Sequence, residues 1–412
     1  MKLGNLKPAG RLYVGAVLLI QLLVVWNARD LIWKGYPDFT IYYTAGTIIR
    51  QGMGHSLYDN GIQFEVQKEF APQVAIRLGA LPFNHPPFEA LLFVPFTYLS
   101  YRVAYLLWLL ANLAMLATLP ILLRPYVQVL AGWSVPLCTL VGLIFFPIFF
   151  ALLQGQDAIL LMFLYGLSFA SMKKGRMVSA GAWLACGLFK FHLVLPFFIL
   201  LLIQEKETQR RMKILWGFLL VGAMLGVVSI LAVGTRQVIS YPAYVLGLEK
   251  TMAQGAIMPS DMPNLRGALY LIASRLHSFD LLVVSFSVVV FLVAARISHL
   301  PDRHSDDLNY VLAVFATVLV SYHGLGYDLC VLALPVSLLA GWLKTGWPQD
   351  GSGSRRWNRA AIGTGMAALL FSPLQLVLLM RYNRLALLGW AVLLCFVGIA
   401  AELGSRTQRL AA

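Results

Sequence analysis

The chain has 412 residues, of which 59% are hydrophobic and only 12% charged, and its mean hydropathy is +0.75. Soluble domains are about 25% charged, so a water-soluble fold is excluded. The formal charge of +14 does not signal nucleic acid, because Lys and Arg sit in short clusters between apolar runs, the pattern that orients membrane spans.

Those runs number about a dozen, each roughly 15–26 residues long, near the ~20 needed to cross hydrocarbon as a helix. They are continuously apolar rather than alternating, so they predict helices and not barrel strands. The expectation is an all-α, polytopic transmembrane bundle forming one domain over residues 1–412. Cys138, Cys186, Cys330 and Cys395 lie inside apolar runs with no metal-like or disulfide-like spacing and read as buried hydrophobes.

The first run, Leu12 to Trp26, follows Lys2, Lys7 and Arg11. Bulky Val25 and Trp26 with Asn27 make a poor cleavage site, so it reads as an uncleaved span with a cytoplasmic amino terminus. The longest polar stretch follows, residues 27–85, an extracytoplasmic loop predicted to carry surface helices at Phe39 to Arg50 and Gly61 to Leu78. Gly52, Gly54 and Asp59 supply the turn between them. Apolar runs then occupy 86–100, 102–123, 131–152, 156–172, 178–203 and 213–233. A second excursion covers 234–276, its Arg266 to Leu276 portion amphipathic, and the last runs are 280–297, 308–322, 328–343, 360–380 and 385–402.

Charge fixes much of the topology. The clusters Lys206, Arg210, Arg211 and Lys213, then Arg296 and Arg303, then Arg355, Arg356 and Arg359 belong in the cytoplasm. Keeping Lys173, Lys174 and Arg176 there too requires the 178–203 run to turn back near Lys190. It also requires the 131–152 run, with Pro136 and Pro147, to be re-entrant.

This topology gathers the unusual polar residues on the outer side: Asp38, Tyr43, Asn84, His85, Gln156, Asp157, Lys190, His192, His323 and Asp328. Polar groups converging at one mouth of a helical bundle can form a pocket for a polar substrate. Each has a plainer explanation. Asp38 opens a helix and could simply cap it. Lys190 lies in an otherwise apolar run, where a Lys costs about 2.5–3.5 kcal/mol; it is either a cation for a phosphate or a snorkelling side chain. The segments 155–157 and 321–328 could be ordinary interhelical turns.

Taken in order, the residues Pro37-Asp38-Phe39, Tyr42-Tyr43, Ala45-Gly46, Tyr58-Asp59, Asn84-His85-Pro86-Pro87, Gly155-Gln156, Ala180-Gly181 before Lys190, and Asn264-Leu265-Arg266-Gly267 resemble one family. The chain is similar over roughly residues 11–345 to the membrane glycosyltransferases of the DUF2029 group, glycosyltransferase family 87, among them the polyprenyl-phosphate-mannose-dependent alpha-1,2-mannosyltransferases. His85 stands where Tyr is frequent, and Asp157 where Asn is common, which leaves sugar and acceptor open.

The resemblance implies the GT-C fold with about 10–12 spans in the cell (inner) membrane. It implies transfer of a hexose, typically mannose, from a polyprenyl-phosphate donor to a lipid or glycan acceptor hydroxyl on the extracytoplasmic face. Asp38 would be the base. Lys190 and His323, then His192 and Arg266, would bind the donor phosphate. Tyr43, Asn84, His85, Gln156, Asp157, Asn264 and Asp328 would contact substrate. A single base facing the donor's opposite side implies inversion. No carboxylate pair has metal spacing along the chain, so metal independence is expected, with no cofactor beyond the donor, no nucleic acid, and membrane lipid as surroundings. The rival is a transporter or flippase of a lipid-linked sugar, which usually shows repeated halves; the sequence has none.

Overall fold

The computed structural model describes residues 8–72, 80–251, 258–299, 306–344 and 353–411, and these are helical, with no strand among the described residues. Continuous apolar composition is the cause: with no water to satisfy peptide groups, only a backbone that bonds to itself tolerates hydrocarbon. Six helices are long and apolar enough to cross a membrane, and three bent pairs pass the same test as units. Two shorter apolar helices, Ala158–Lys173 and Asp306–Val320, complete the set. Leucines left outside the packed interior, such as Leu231 at 81% exposure, are at home only against lipid.

The first span runs well past its predicted bounds, over Pro8–Trp33. Helix Phe39–Arg50 forms as predicted. The next is Asn60–Phe70, started by Asp59, whose carboxylate accepts from the backbone N–H groups of Gly61 and Ile62; most of its predicted continuation toward Leu78 lies outside the described residues. Arg303 also falls outside them.

Contacts fix the path of the chain between the two ends of the bundle. Helix Tyr101–Leu123 serves as a ruler. Near its start, Tyr105 and Trp108 donate to the carbonyls of Leu153 and Gly155 at 3.0 and 2.9 Å; just past its end, Arg124 donates to the Trp133 carbonyl. Residues 133–155 therefore traverse the bundle in one direction. The expected re-entrant loop is absent from this stretch, although the pair Val135–Ile144 and Phe146–Gln154 is bent by 80°. Pro136 and Pro147 open these helices instead of interrupting them, the position where a missing N–H costs nothing.

The 86–100 run removes the need for that loop. It forms the short helix Pro87–Phe93 and a 3-10 turn, Val94–Tyr98. Both pack on helix Phe39–Arg50, and Tyr43 donates to the Leu99 carbonyl at 2.7 Å. The run stays at one end and does not cross.

The 178–203 run does reverse. Lys173 pairs with Asp307 at 2.6 Å and Gln204 donates to the neighbouring Asn309 carbonyl at 2.8 Å, so both ends of the run lie at one end of the bundle. Helices Met177–Cys186 and Phe191–Gln204 meet at a 3-10 turn, Leu188–Lys190, which puts Lys190 at the tip. The basic residues Lys173, Lys206 and Arg210 gather at one end, with Asp38, His85, Asp157 and Lys190 at the other.

The second excursion contains a helix that sequence did not indicate, Thr235–Thr251. Its Tyr244 donates to Asn60 Oδ1 at 2.7 Å, its Tyr241 to the Asn84 carbonyl at 3.2 Å, and its Gln237 to the His55 carbonyl. The two excursions thus clasp each other over the site. The amphipathic stretch settles as helix Leu265–Ala273.

Helix Met177–Cys186 crosses helix Thr208–Val233 at two glycines: a Cβ on Gly181 would lie 1.9 Å from the Ile214 carbonyl oxygen, and one on Gly217 2.0 Å from that of Val178. Gly181→Leu is expected to cost about 3 kcal/mol through overpacking and to give aggregated protein on size-exclusion chromatography. Gly222→Ala, whose Cβ would meet only the Leu188 side chain at 3.6 Å, should elute as wild type does.

Candidate functional site

The site is built where turns from five segments meet. Gly155 ends helix Phe146–Gln154 in the left-handed conformation, φ +62°. A Cβ there would strike Phe39 at 2.7 Å, so glycine permits both the turn and the approach of helix Phe39–Arg50. That turn delivers Gln156 and Asp157 to the beginning of helix Phe39–Arg50.

Asp38 occupies the cap position of that helix, yet its carboxylate caps no N–H. It accepts instead from Gln156 Nε2 at 2.7 Å, while the Asp38 N–H donates to Gln154 Oε1 at 3.2 Å. Tyr42, one turn along the helix, donates its hydroxyl to Gln156 Oε1 at 2.7 Å. This second bond fixes which end of the amide faces Asp38.

Beside it lies a buried charged cluster. Lys190 Nζ sits 2.9 Å from Asp157 Oδ1 and 2.8 Å from Asp328 Oδ1, with the Tyr327 ring 5.0 Å away. The other oxygen of Asp328 accepts from the Leu325 N–H at 2.8 Å, which holds the 321–328 turn. His85 Nδ1 is 2.7 Å from Glu89 Oε2 and 3.5 Å from Asp157 Oδ2. All five residues are buried. Burial is the largest influence on His85 and holds its imidazole down to about 4, so it is neutral at pH 7. Tyr58, whose phenol burial pushes far above its ordinary range, keeps its proton and donates to the His85 carbonyl at 2.8 Å.

Two carboxylates therefore face one ammonium, while Glu89 lies against His85, its carboxyl pushed well above the usual carboxylate range by burial. The sequence expectation gave Lys190 to a donor phosphate; the structure shows its charge already met by two carboxylates. Burial of the side chain does not fit the snorkelling alternative.

The remaining predicted residues lie around this centre. His192 and His323 face each other edge to face, ring centroids 6.2 Å apart, and His192 interacts electrostatically with Lys190 and His85. Asn264 donates to the Ser321 carbonyl at 2.7 Å and accepts from the Gly267 N–H at 3.0 Å. Arg266 lies over the Tyr322 ring at 3.9 Å and donates to the Tyr322 carbonyl at 3.3 Å. These two residues brace the 321–328 turn. Tyr43 packs against Phe70 and Tyr101, on the face of its helix away from Gln156. Asn84 contributes a backbone carbonyl to Tyr241.

Sequence reasoning passed over Tyr42, Gln154, Glu89 and Tyr327. Glu89 had a usable signal: it is an acid inside an apolar run, four residues after His85, the separation that puts two side chains on one helical face. Tyr42 had none, since only packing decides whether it or Tyr43 faces the site.

Removing one partner of a buried pair costs about 3–5 kcal/mol. Lys190→Met, which leaves Asp157 and Asp328 unpaired, is expected to lower stability by that amount in thermal unfolding of the detergent-solubilised protein. Adding Asp328→Asn to it should recover part of the loss; a wild-type melting temperature for Lys190→Met would contradict the pairing.

Compared with known proteins, the chain matches no curated protein and no solved structure. The model of glycosyltransferase family 87 matches residues 83–335. That match covers more than half of the sequence and takes in Glu89, Asp157, Lys190 and Asp328. The chain belongs to glycosyltransferase family 87 and is a multi-pass membrane glycosyltransferase.

Proposed function

We propose that the protein transfers a hexose, mannose by family resemblance, from a polyprenyl phosphate to a hydroxyl of a lipid or glycan acceptor, with inversion, on the extracytoplasmic face of the cell membrane. Asp38 carries this reading. Its carboxylate caps no N–H of its helix and is aimed by Gln156, which Tyr42 orients in turn.

Sidedness follows from charge. Lys173, Lys206 and Arg210 collect at the end of the bundle away from Asp38, and clusters of that kind are retained in the cytoplasm. The site then opens outward, where a lipid-linked sugar and not a nucleotide sugar is the donor at hand.

In the reaction, Asp38 takes the proton of the acceptor hydroxyl as its oxygen forms a bond to the anomeric carbon. The bond from that carbon to the phosphate oxygen breaks, and polyprenyl phosphate leaves with the electron pair. Attack from the side opposite the leaving group inverts the centre. Charge on the leaving phosphate needs positive partners; His323, His192 and Arg266 border the 321–328 turn, whereas Lys190 is engaged by its two carboxylates.

Asp38→Asn is expected to reduce release of polyprenyl phosphate from a polyprenyl-phosphate sugar by about 10²–10⁴-fold, the usual contribution of a positioned base, with an unchanged melting temperature. Full turnover by Asp38→Asn would remove it from the chemistry. Sugar movement across a vesicle without release of polyprenyl phosphate would replace the transferase reading with a flippase.

A further inference from the structure

The buried cluster beside Asp38 is rich in acids. Asp157, Asp328 and Glu89 bring three acid groups together, and Lys190 meets only the first two. Glu89 is left without a cation in a place water does not reach, and a buried acid calls for a proton or a cation. In the proposed reaction this corner also adjoins an anionic phosphate, which an excess of carboxylates would repel.

The geometry points to a divalent cation. His85 Nδ1, a Glu89 carboxylate oxygen and an Asp157 carboxylate oxygen all lie within 4.8 Å of one another. Two of the separations are 2.7 and 3.5 Å. An ion about 2.0–2.2 Å from each donor needs donors roughly 3–3.5 Å apart, so small side-chain adjustments suffice. Glu89, 2% exposed, has its Oε1 without any hydrogen-bond donor; a buried carboxylate oxygen in that state is aimed at a ligand or a proton.

The surroundings suit an ion. Asp157 divides its oxygens, Oδ1 to Lys190 and Oδ2 toward His85. Lys190 thereby acts on the ligand from outside, as partners of metal-bound carboxylates do. The Tyr58 bond to the His85 carbonyl and the edge-to-face contact of His85 with Tyr42, centroids 5.2 Å apart, hold the imidazole in place.

We infer that His85, Glu89 and Asp157 bind one first-row divalent ion, through one imidazole nitrogen and two carboxylate oxygens, a donor set suited to Mn²⁺ or Zn²⁺. An ion there would meet Glu89 and the Asp157 oxygen that Lys190 does not contact. Resting on the transferase reading, the inference adds that the ion supplies the positive field for the donor phosphate that Lys190 alone cannot. It revises the expectation of metal independence, which rested on spacing along the chain, because the donors come together only in the fold.

The test is Mn²⁺ binding by the full-length protein in detergent after chelator treatment and desalting, read by loss of the free-ion paramagnetic resonance signal. Wild type is expected to bind one Mn²⁺ per chain and to melt at a higher temperature with Mn²⁺ present. His85→Ala and Glu89→Gln, each checked for monodispersity, should bind at least tenfold more weakly, whereas Glu65→Gln, an exposed acid, should bind as wild type does. No bound Mn²⁺ together with no melting shift in wild type overturns the site and leaves a proton shared between His85 and the acids. Binding undiminished in both ligand variants also overturns it. Neither readout uses turnover, so a protein that binds Mn²⁺ but releases no polyprenyl phosphate sinks the transferase reading alone.

Discussion

The pairing of one buried ammonium with two buried carboxylates holds the candidate site together. Lys190 comes from the tip of a hairpin that enters and leaves at the far end of the bundle, Asp157 from a turn after a left-handed glycine, and Asp328 from a 3-10 turn. None of these three turns has an intrinsic reason to meet the others. Charge compensation in a low-dielectric interior supplies one, since each group is expensive alone and tolerable together. An apolar hairpin tip would pack there without fixing where Asp157 and Asp328 point.

Around that pairing the site divides into two functions with separate supports. Asp38 is aimed by hydrogen bonds within a neutral pair, Gln156 and Tyr42, which orients a carboxylate without cancelling its charge. The acids beside Lys190 face charged or aromatic groups instead. Adjacent residues Gln156 and Asp157 serve the two halves, so the geometry of Gly155 sets both at once. The clasp between the excursions, made largely by Tyr241, Tyr244 and Gln237, encloses the same region from above. Keeping water from that space strengthens every electrostatic contact inside it.

The topology shows how one local decision propagates. Had the 86–100 run crossed the membrane, every following span would have flipped, and the basic residues at 173–176 would face the wrong side unless another segment compensated. Its three prolines and 3-10 turn keep it short, and helix Phe39–Arg50 offers it a packing surface. Pro136 and Pro147 then cause no reversal, because at the first turn of a helix proline loses nothing. Among the described residues, the apolar run that reverses does so at Lys190, where it presents a charge to Asp157 and Asp328.

The sequence alone determined the class of the molecule, since hydrocarbon admits so few backbones that composition and run length leave only a helical bundle. It also placed Lys173 and Lys206 at a common end, gave helix Phe39–Arg50 its bounds, and marked Asp38, Asp157, Lys190 and Asp328 as polar residues in need of an explanation. Only the tertiary structure decided their partners. Whether Tyr42 or Tyr43 faces Gln156, whether Lys190 is bare or doubly paired, and whether His85, Glu89 and Asp157 converge are questions of distance across segments far apart in the chain. Local propensity carries no information about such distances; they are settled by packing, and by the cost of leaving a buried charge without a partner.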